Sequence, residues 1–243
     1  SQKQGGLELG AQLLFPAAVY LILADFKTAE TVYTLIGISI TWLALDTIFA
    51  LTFKEKRPLE ISVKVIGATT ALMASLILVG ENDPDKAAIC FGIYTFFFAL
   101  YTLFHKKAAY GYIPATYLAF TIFYALNAFK VDAWLPALTA LAVLYFLAGV
   151  AIKSKENWSH MLRNSALALG TIVSIGALLT SKETGGWYAL VIGLLFAAEM
   201  YLSRNGWFEI GIPVLFNIGA FLILRDLEIK EPVYHLLAYS LVW

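Results

Sequence analysis

Residues 133–152 read AWLPALTALAVLYFLAGVAI, twenty positions without one charged side chain. A helix needs about 20 apolar residues to cross the hydrocarbon core of a bilayer, so this stretch alone is long enough. A barrel strand would instead alternate lipid-facing and lumen-facing residues over about 10 positions, and nothing here alternates. Residues 87–104, AAICFGIYTFFFALYTLF, behave in the same way. Helices and closed barrels are the two structures that satisfy every backbone group in lipid. With strands excluded, helices remain.

Working outward, the chain divides into spans at 7–26, 31–53, 61–80, 87–104, 108–129, 133–152, 158–180, 186–203 and 207–224, separated by short polar breaks. A further apolar stretch begins at Val233 and runs to Trp243, about half the length needed to cross. Together with a start at Ser1, this gives the expectation of a segment cut from a longer protein. Composition agrees with lipid as the solvent: 60% of residues are hydrophobic and 14% charged, against about 45–50% and 25% in soluble proteins. The expected fold is all-α, a single polytopic transmembrane domain over 1–243 built from tandem helical hairpins.

Internal similarity refines that expectation. Pro16, Pro114 and Pro213 stand at the same place in three spans, 98 and 99 residues apart. Gly67, Ala71 and Ser75 form a small-residue ladder that Ala166, Gly170 and Ser174 repeat at an offset of 99. Small residues at such spacing let helix backbones approach closely in membranes. The reading is a four-helix unit of about 98–99 residues, with copies near 7–104 and 108–203 and an incomplete one over 207–243. The prolines remove a backbone donor and can kink their helices, either opening a cavity or shaping the packing.

The net charge is zero, but its distribution is polarised. The amino terminus and the even-to-odd loops carry eleven Lys and Arg, and the opposite loops carry six. By the positive-inside rule the amino terminus faces the cytoplasm. Trp134, Trp158, Trp187 and Trp207 each open a span, where amphipathic rings anchor at headgroup depth. The sequon at Asn157 falls on the cytoplasmic side and reads as a chance match. Cys90 lies within a span and has no second cysteine to pair with.

Few polar groups lie deep in the spans. Asp46 sits seven residues before a span end, roughly 10 Å inside the boundary. A carboxylate there costs enough that it must face the bundle interior and find a partner. Its same-face neighbours Trp42, Leu43, Phe49 and Ala50 offer no cation, and Lys64 is the candidate partner. A ligand-binding or proton-coupling role competes with that of a paired structural acid. Glu199 is a second candidate, with Arg204 or Arg163 as its partner. Asn217 is a third, although an interhelical hydrogen bond is its plainer role. His105, His160 and His235 lie near span ends. No catalytic constellation, metal-ligand cluster, phosphate loop or cofactor motif is present in the sequence. The acidic turn 81–85 lacks the glycine and closing glutamate of a calcium loop and reads as a solvated turn.

The rhythm of apolar span, basic cluster, proline-containing span and acidic turn resembles the large repetitive membrane proteins of bacteria. That resemblance covers the whole chain, implies a multi-spanning helical bundle and carries over no functional residue.

Three classes of function follow as expectations. The leading one is a transporter-like or small-molecule- or lipid-binding membrane domain, because parallel repeats occur in transporters with sites at the repeat interface. It requires a cavity between repeats lined by Asp46 and the proline kinks. A structural or partner-docking membrane scaffold is the alternative. A membrane-embedded enzyme acting on lipid comes third, so catalysis is not expected. The expected partners are membrane lipids and other membrane subunits or the rest of a longer chain, without nucleic acid. The expected location is the inner membrane of a bacterial or archaeal cell.

Overall fold

The computed structural model describes residues 31–52, 60–152, 155–180, 184–204 and 206–229, with Ala18, Leu21, Tyr234 and Ser240. The remainder of the first expected span, Pro16 included, and most of the stretch after Val233 lie outside them. The described chain is helical, without strands. Its elements are α1 (Thr31–Thr52), α2 (Glu60–Gly80), α3 (Pro84–His105), a 3-10 turn (Ala108–Gly111), α4 (Tyr112–Ala128), α5 (Trp134–Ala151), α6 (Glu156–Thr180), α7 (Gly185–Ser203) and α8 (Phe208–Asp226). Seven of these eight helices contain at least 18 residues apolar enough to cross a membrane. The eighth, α4, has 17 residues, at the short end of what spans. These seven helices mark the chain as a multi-pass helical membrane protein.

The start of α3 follows local chemistry more than hydropathy. The apolar run at 87–104 predicts a start three residues later than the one observed. Asp83 is the N-cap, its side chain accepting from the Lys86 N–H at 3.1 Å, and Pro84 occupies the first turn. A capping carboxylate satisfies an orphan donor, and proline loses nothing where its N–H has no helical partner. The acidic turn is therefore a helix start. Pro114 is the third residue of α4, again in the first turn, where no ladder bond is lost. Pro213 lies inside α8 and deletes the bond its position would make to the Glu209 carbonyl.

Consecutive helices pack as the hairpins α1·α2, α3·α4, α5·α6 and α7·α8. Two contacts fix the direction of alternate helices. Ser39 Oγ meets Tyr94 OH at 2.9 Å, and seven residues further along both helices Tyr101 OH donates to Asp46 Oδ2 at 2.7 Å. Equal steps in the same sense mean that α1 and α3 run parallel.

Two apolar clusters form the interior. One is built from α1, α2 and α3, with Phe91, Tyr94 and Phe98 at its centre. The other joins α5 to α8 around Leu138, Val173, Ile192 and Leu222. Helix α4 links them, turning Tyr117 and Tyr124 to the first and Leu118, Ile122 and Phe123 to the second. Phe98 stacks on Tyr117 at 5.4 Å, whose hydroxyl meets Ser75 Oγ at 2.9 Å.

Large apolar side chains also cover the outer surface. Phe96, Leu76, Ile172 and Leu179 are each more than 60% exposed. In water a surface of this kind would associate; in lipid it is the solvated face.

The small-residue ladders sit at tight helix contacts. A Cβ on Gly67 would come within 2.7 Å of Leu43 Cγ on α1, and one on Gly170 within 2.6 Å of Ile192 Cγ2 on α7. Ala71 and Ala166 are buried beside them, and Ser75 and Ser174 bond back to the carbonyls of Ala71 and Gly170. Two pairs of helix ends take a left-handed residue at a separation of 98. Lys106 and Arg204 end α3 and α7, and Lys130 and Glu228 follow α4 and α8. The backbone bonds of each pair match: Lys106 and Arg204 N–H donate four residues back, and Lys130 and Glu228 N–H three residues back.

Candidate functional site

The buried charged groups gather at one end of the bundle, where α1, α3, α5 and α7 finish and α2, α4 and α6 begin. Asp46 is 1% exposed. Its partners come from two helices, α3 and α2. Tyr101 and His105 lie four residues apart on α3, hence on one face. Tyr101 donates to Oδ2, and His105 Nε2 stands 3.2 Å from the same oxygen. Lys64, from the first turns of α2, brings Nζ to 3.9 Å from Oδ1. The rings pack on one another, with Tyr101 and His105 at 4.2 Å and Tyr110 of the 3-10 turn edge-on to His105 at 5.7 Å.

A carboxylate cut off from water is tolerable only when charge and hydrogen bonds replace hydration. Here the Tyr101 phenol supplies the hydrogen bond, with the Lys64 ammonium and the His105 imidazole at ion-pair distance. Chemically the group can hold or pass a proton. Asp46 borders none of the cavities described below.

A second buried acid sits in the other half of the bundle. Glu199 on α7 is 1% exposed and accepts from Arg163 Nη1 on α6 at 2.9 Å. Arg163 Nη2 is 3.2 Å from His160 Nδ1, and His160 Nε2 is 3.8 Å from Glu156. This row exists because α5 and α6 nearly touch. A Cβ on Gly149 would lie 2.6 Å from Arg163 Cγ and 2.9 Å from the Ser159 carbonyl, and Ser159 Oγ donates to the Gly149 carbonyl at 2.7 Å. The arginine therefore lies flat against the α5 backbone, pointed at Glu199.

Asn217 on α8 is placed apart from both acids. Its Oδ1 is buried without a hydrogen bond among the described residues and borders a cavity of about 290 Å³ with Leu178, Ile218 and Phe221.

Two larger spaces meet at Tyr112. One is an apolar cavity of about 320 Å³ between α4, α5 and α6, walled by Ala119, Phe123, Trp134, Leu138, Ala168 and Ile172. Its polar groups are few: Thr116, Tyr145 and Ser165, with Tyr112 and the Trp134 indole. The Tyr145 hydroxyl is spent on the Ala115 carbonyl at 3.1 Å. The other is a basin of about 1090 Å³ at the polar end, bordered by Lys106, Lys107, Lys155, Trp158 and His160. Tyr112 borders both, and its hydroxyl accepts from Asn164 Nδ2 at 3.2 Å. Among the described residues no group of three His, Cys, Asp or Glu side chains is placed to hold a metal.

No protein-family model matches the chain, and no match appears among the curated proteins or the solved structures.

Sequence reasoning did not find Tyr101 and His105 as partners of Asp46, nor His160 beside Arg163, nor the cavities. One signal was available: Ser39 and Asp46 are spaced by seven, as are Tyr94 and Tyr101, placing a polar pair on one face of each helix.

Proposed function

We propose that this is a small-molecule- or lipid-binding domain of a multi-pass membrane protein, with the cavity between α4, α5 and α6 as its site. The supporting observation is that cavity: about 320 Å³, apolar and with few polar groups, within the range of about 300–1,000 Å³ typical of ligand sites. Binding is favoured over coupled transport, because Asp46 lines no described cavity. In this reading Asp46 holds three helices together at one end and Glu199 does the same in the other half.

A four-helix repeat of 98–99 residues belongs to the same proposal. It is supported by the left-handed helix ends 98 residues apart. Under its alignment Lys64 corresponds to Arg163 and Tyr101 to Glu199. Each copy then carries a cation opposite a buried polar group at one corner, with the acid moved from α7 in one copy to α1 in the other. By the positive-inside rule that end faces the cytoplasm, and the setting is a bacterial or archaeal inner membrane. The scaffold reading draws on the same enclosure of Asp46 and Glu199, and predicts a cavity that binds nothing.

Photolabelling tests the choice. The full chain in bilayers is labelled with an alkyl diazirine and the adducts are mapped by mass spectrometry. Enrichment on α4, α5 and α6, lost when Ala168→Trp fills the cavity, supports binding. Even labelling of every lipid-facing helix overturns it.

A further inference from the structure

The basin at the polar end is the most strongly charged concavity among the described residues that the proposed site leaves unused. Three lysines border it and one carboxylate, Glu156, whose side chain is 86% exposed and turned toward His160. Among the described residues Lys106 and Lys155 make no ion pair, and Lys107 lies over the Tyr110 ring at 5.8 Å. At the floor His160 stands 3.2 Å from the buried Arg163, whose charge Glu199 balances. The positive charge of the basin therefore lies at its rim.

The location matters as much as the sign. Lys106 and Lys107 follow the last turn of α3, and Lys155 precedes the first turn of α6, which puts the basin where helices leave the hydrocarbon. Trp158, a residue type that settles at headgroup depth, forms part of its wall. Basic pockets between membrane helices at this depth suit anionic lipid headgroups. Leu103, Ile152 and Met161 supply apolar wall below the lysines.

The basin and the apolar cavity adjoin across one side chain, Tyr112. From Tyr112 the cavity wall continues along α4 through Thr116, Ala119 and Phe123, a length of roughly 16 Å at the helical rise. Tyr112 thus stands between a charged compartment at the interface and an apolar trough running into the membrane. We infer that the two compartments form one site for an anionic phospholipid, with the phosphate-bearing headgroup among Lys106, Lys107 and Lys155 and an acyl chain in the cavity beyond Tyr112. This inference rests on the binding role of the cavity and names its ligand class.

Native mass spectrometry of the full chain in neutral detergent separates the outcomes. The probes are a phosphatidylglycerol, a phosphatidylcholine with the same acyl chains, and inorganic phosphate. Phosphatidylglycerol is expected to be retained at least about tenfold better than phosphatidylcholine, since each lysine near the surface strengthens binding to an anionic lipid. The triple substitution Lys106→Gln, Lys107→Gln and Lys155→Gln should erase that preference while leaving phosphatidylcholine retention unchanged. Ala168→Trp should weaken both lipids. All four positions are exposed, and unchanged helicity by circular dichroism checks each variant's fold.

Equal retention of the two lipids, or a preference that survives the triple substitution, overturns the headgroup assignment. Displacement of the lipid by inorganic phosphate as effectively as by phosphatidylglycerol overturns the joined site, leaving an anion site without a tail. Diazirine labelling of the cavity is read in parallel. Labelling that persists without headgroup preference removes only this inference, and labelling that fails removes the binding role itself.

Discussion

Tyr101 donates its hydroxyl hydrogen to Asp46 at 2.7 Å, one heptad along from the contact between Tyr94 and Ser39. The two rungs tie α1 to α3 in parallel register, yet they differ in kind. Asp46 is an acid enclosed by an imidazole and an ammonium as well as the phenol, whereas Ser39 and Tyr94 are neutral.

Replacing each donor or acceptor separates these energies. Tyr101→Phe removes a hydrogen bond to a charged group, and such bonds contribute about 1.5–3 kcal/mol. Ser39→Ala removes a neutral interhelical bond, which in membrane proteins averages about 0.6 kcal/mol. Unfolding in mixed micelles should therefore rank Tyr101→Phe as clearly the more costly. Equal losses would mean that Asp46 is protonated and its bond to Tyr101 no stronger than a neutral one.

The Arg163–Glu199 pair yields a different signature. Glu199→Gln leaves a guanidinium buried against the Gly149 backbone without its counter-charge, and breaking such a pair typically costs about 3–5 kcal/mol. Removing both charges with Arg163→Met and Glu199→Leu should recover most of that loss, because the desolvation cost disappears with them. Stability curves for the single and double variants provide the measurement. A double variant as unstable as the single one would show that the pair's hydrogen bonds, and not charge balance, hold α6 to α7.

What the sequence made legible follows from where each signal resides. The spans are written locally: 133–152 and 87–104 can be read without reference to any other residue, and the observed helices start or end within three residues of them. The Glu199–Arg163 contact was foreseeable because only Arg163 and Arg204 lie at the correct depth. Around Asp46 only Lys64 was foreseeable, and it stands 3.9 Å from the carboxylate; the rest of that acid's surroundings were not. Its own helix carries no cation, and its partners Tyr101 and His105 come from a helix 55 residues away, so their meeting depends on how α1 and α3 are set against each other. Cavities are less legible still, being defined by side chains that fail to meet. Ala119, Ala168 and Gly176 border one, but the same residue types in the ladders mark the closest contacts.

That last contrast can be tested directly. Gly67→Ala and Gly170→Ala each place a Cβ under 3 Å from a branched side chain, an overpacking that costs about 1–3 kcal/mol. Gly37→Ala meets nothing within 4 Å and should be neutral or stabilising by about 0.4–1 kcal/mol. Thermal unfolding of the three variants in one detergent compares them. A Gly67→Ala protein as stable as Gly37→Ala would show that Leu43 swings aside, and that α1 and α2 are not pinned at this point.

Finally, the alternation of helices dictates which side of the membrane each loop occupies. Lys106, Lys155 and Arg204 fall at the end that carries the buried acids, and Asp132 and Glu228 at the other, because α1 and α3 are parallel and the loops between hairpin partners are short. Single cysteines at these five positions, in a Cys90→Ser background, report the side through a membrane-impermeant maleimide. Lys106→Cys, Lys155→Cys and Arg204→Cys should react only after the inner face is opened, and Asp132→Cys and Glu228→Cys in intact cells. The reverse pattern would invert the orientation and leave the bundle intact. Reaction of Lys106→Cys and Asp132→Cys from the same side would mean that α4, the 17-residue helix, does not cross, and the apolar cavity it walls would lose its membrane setting.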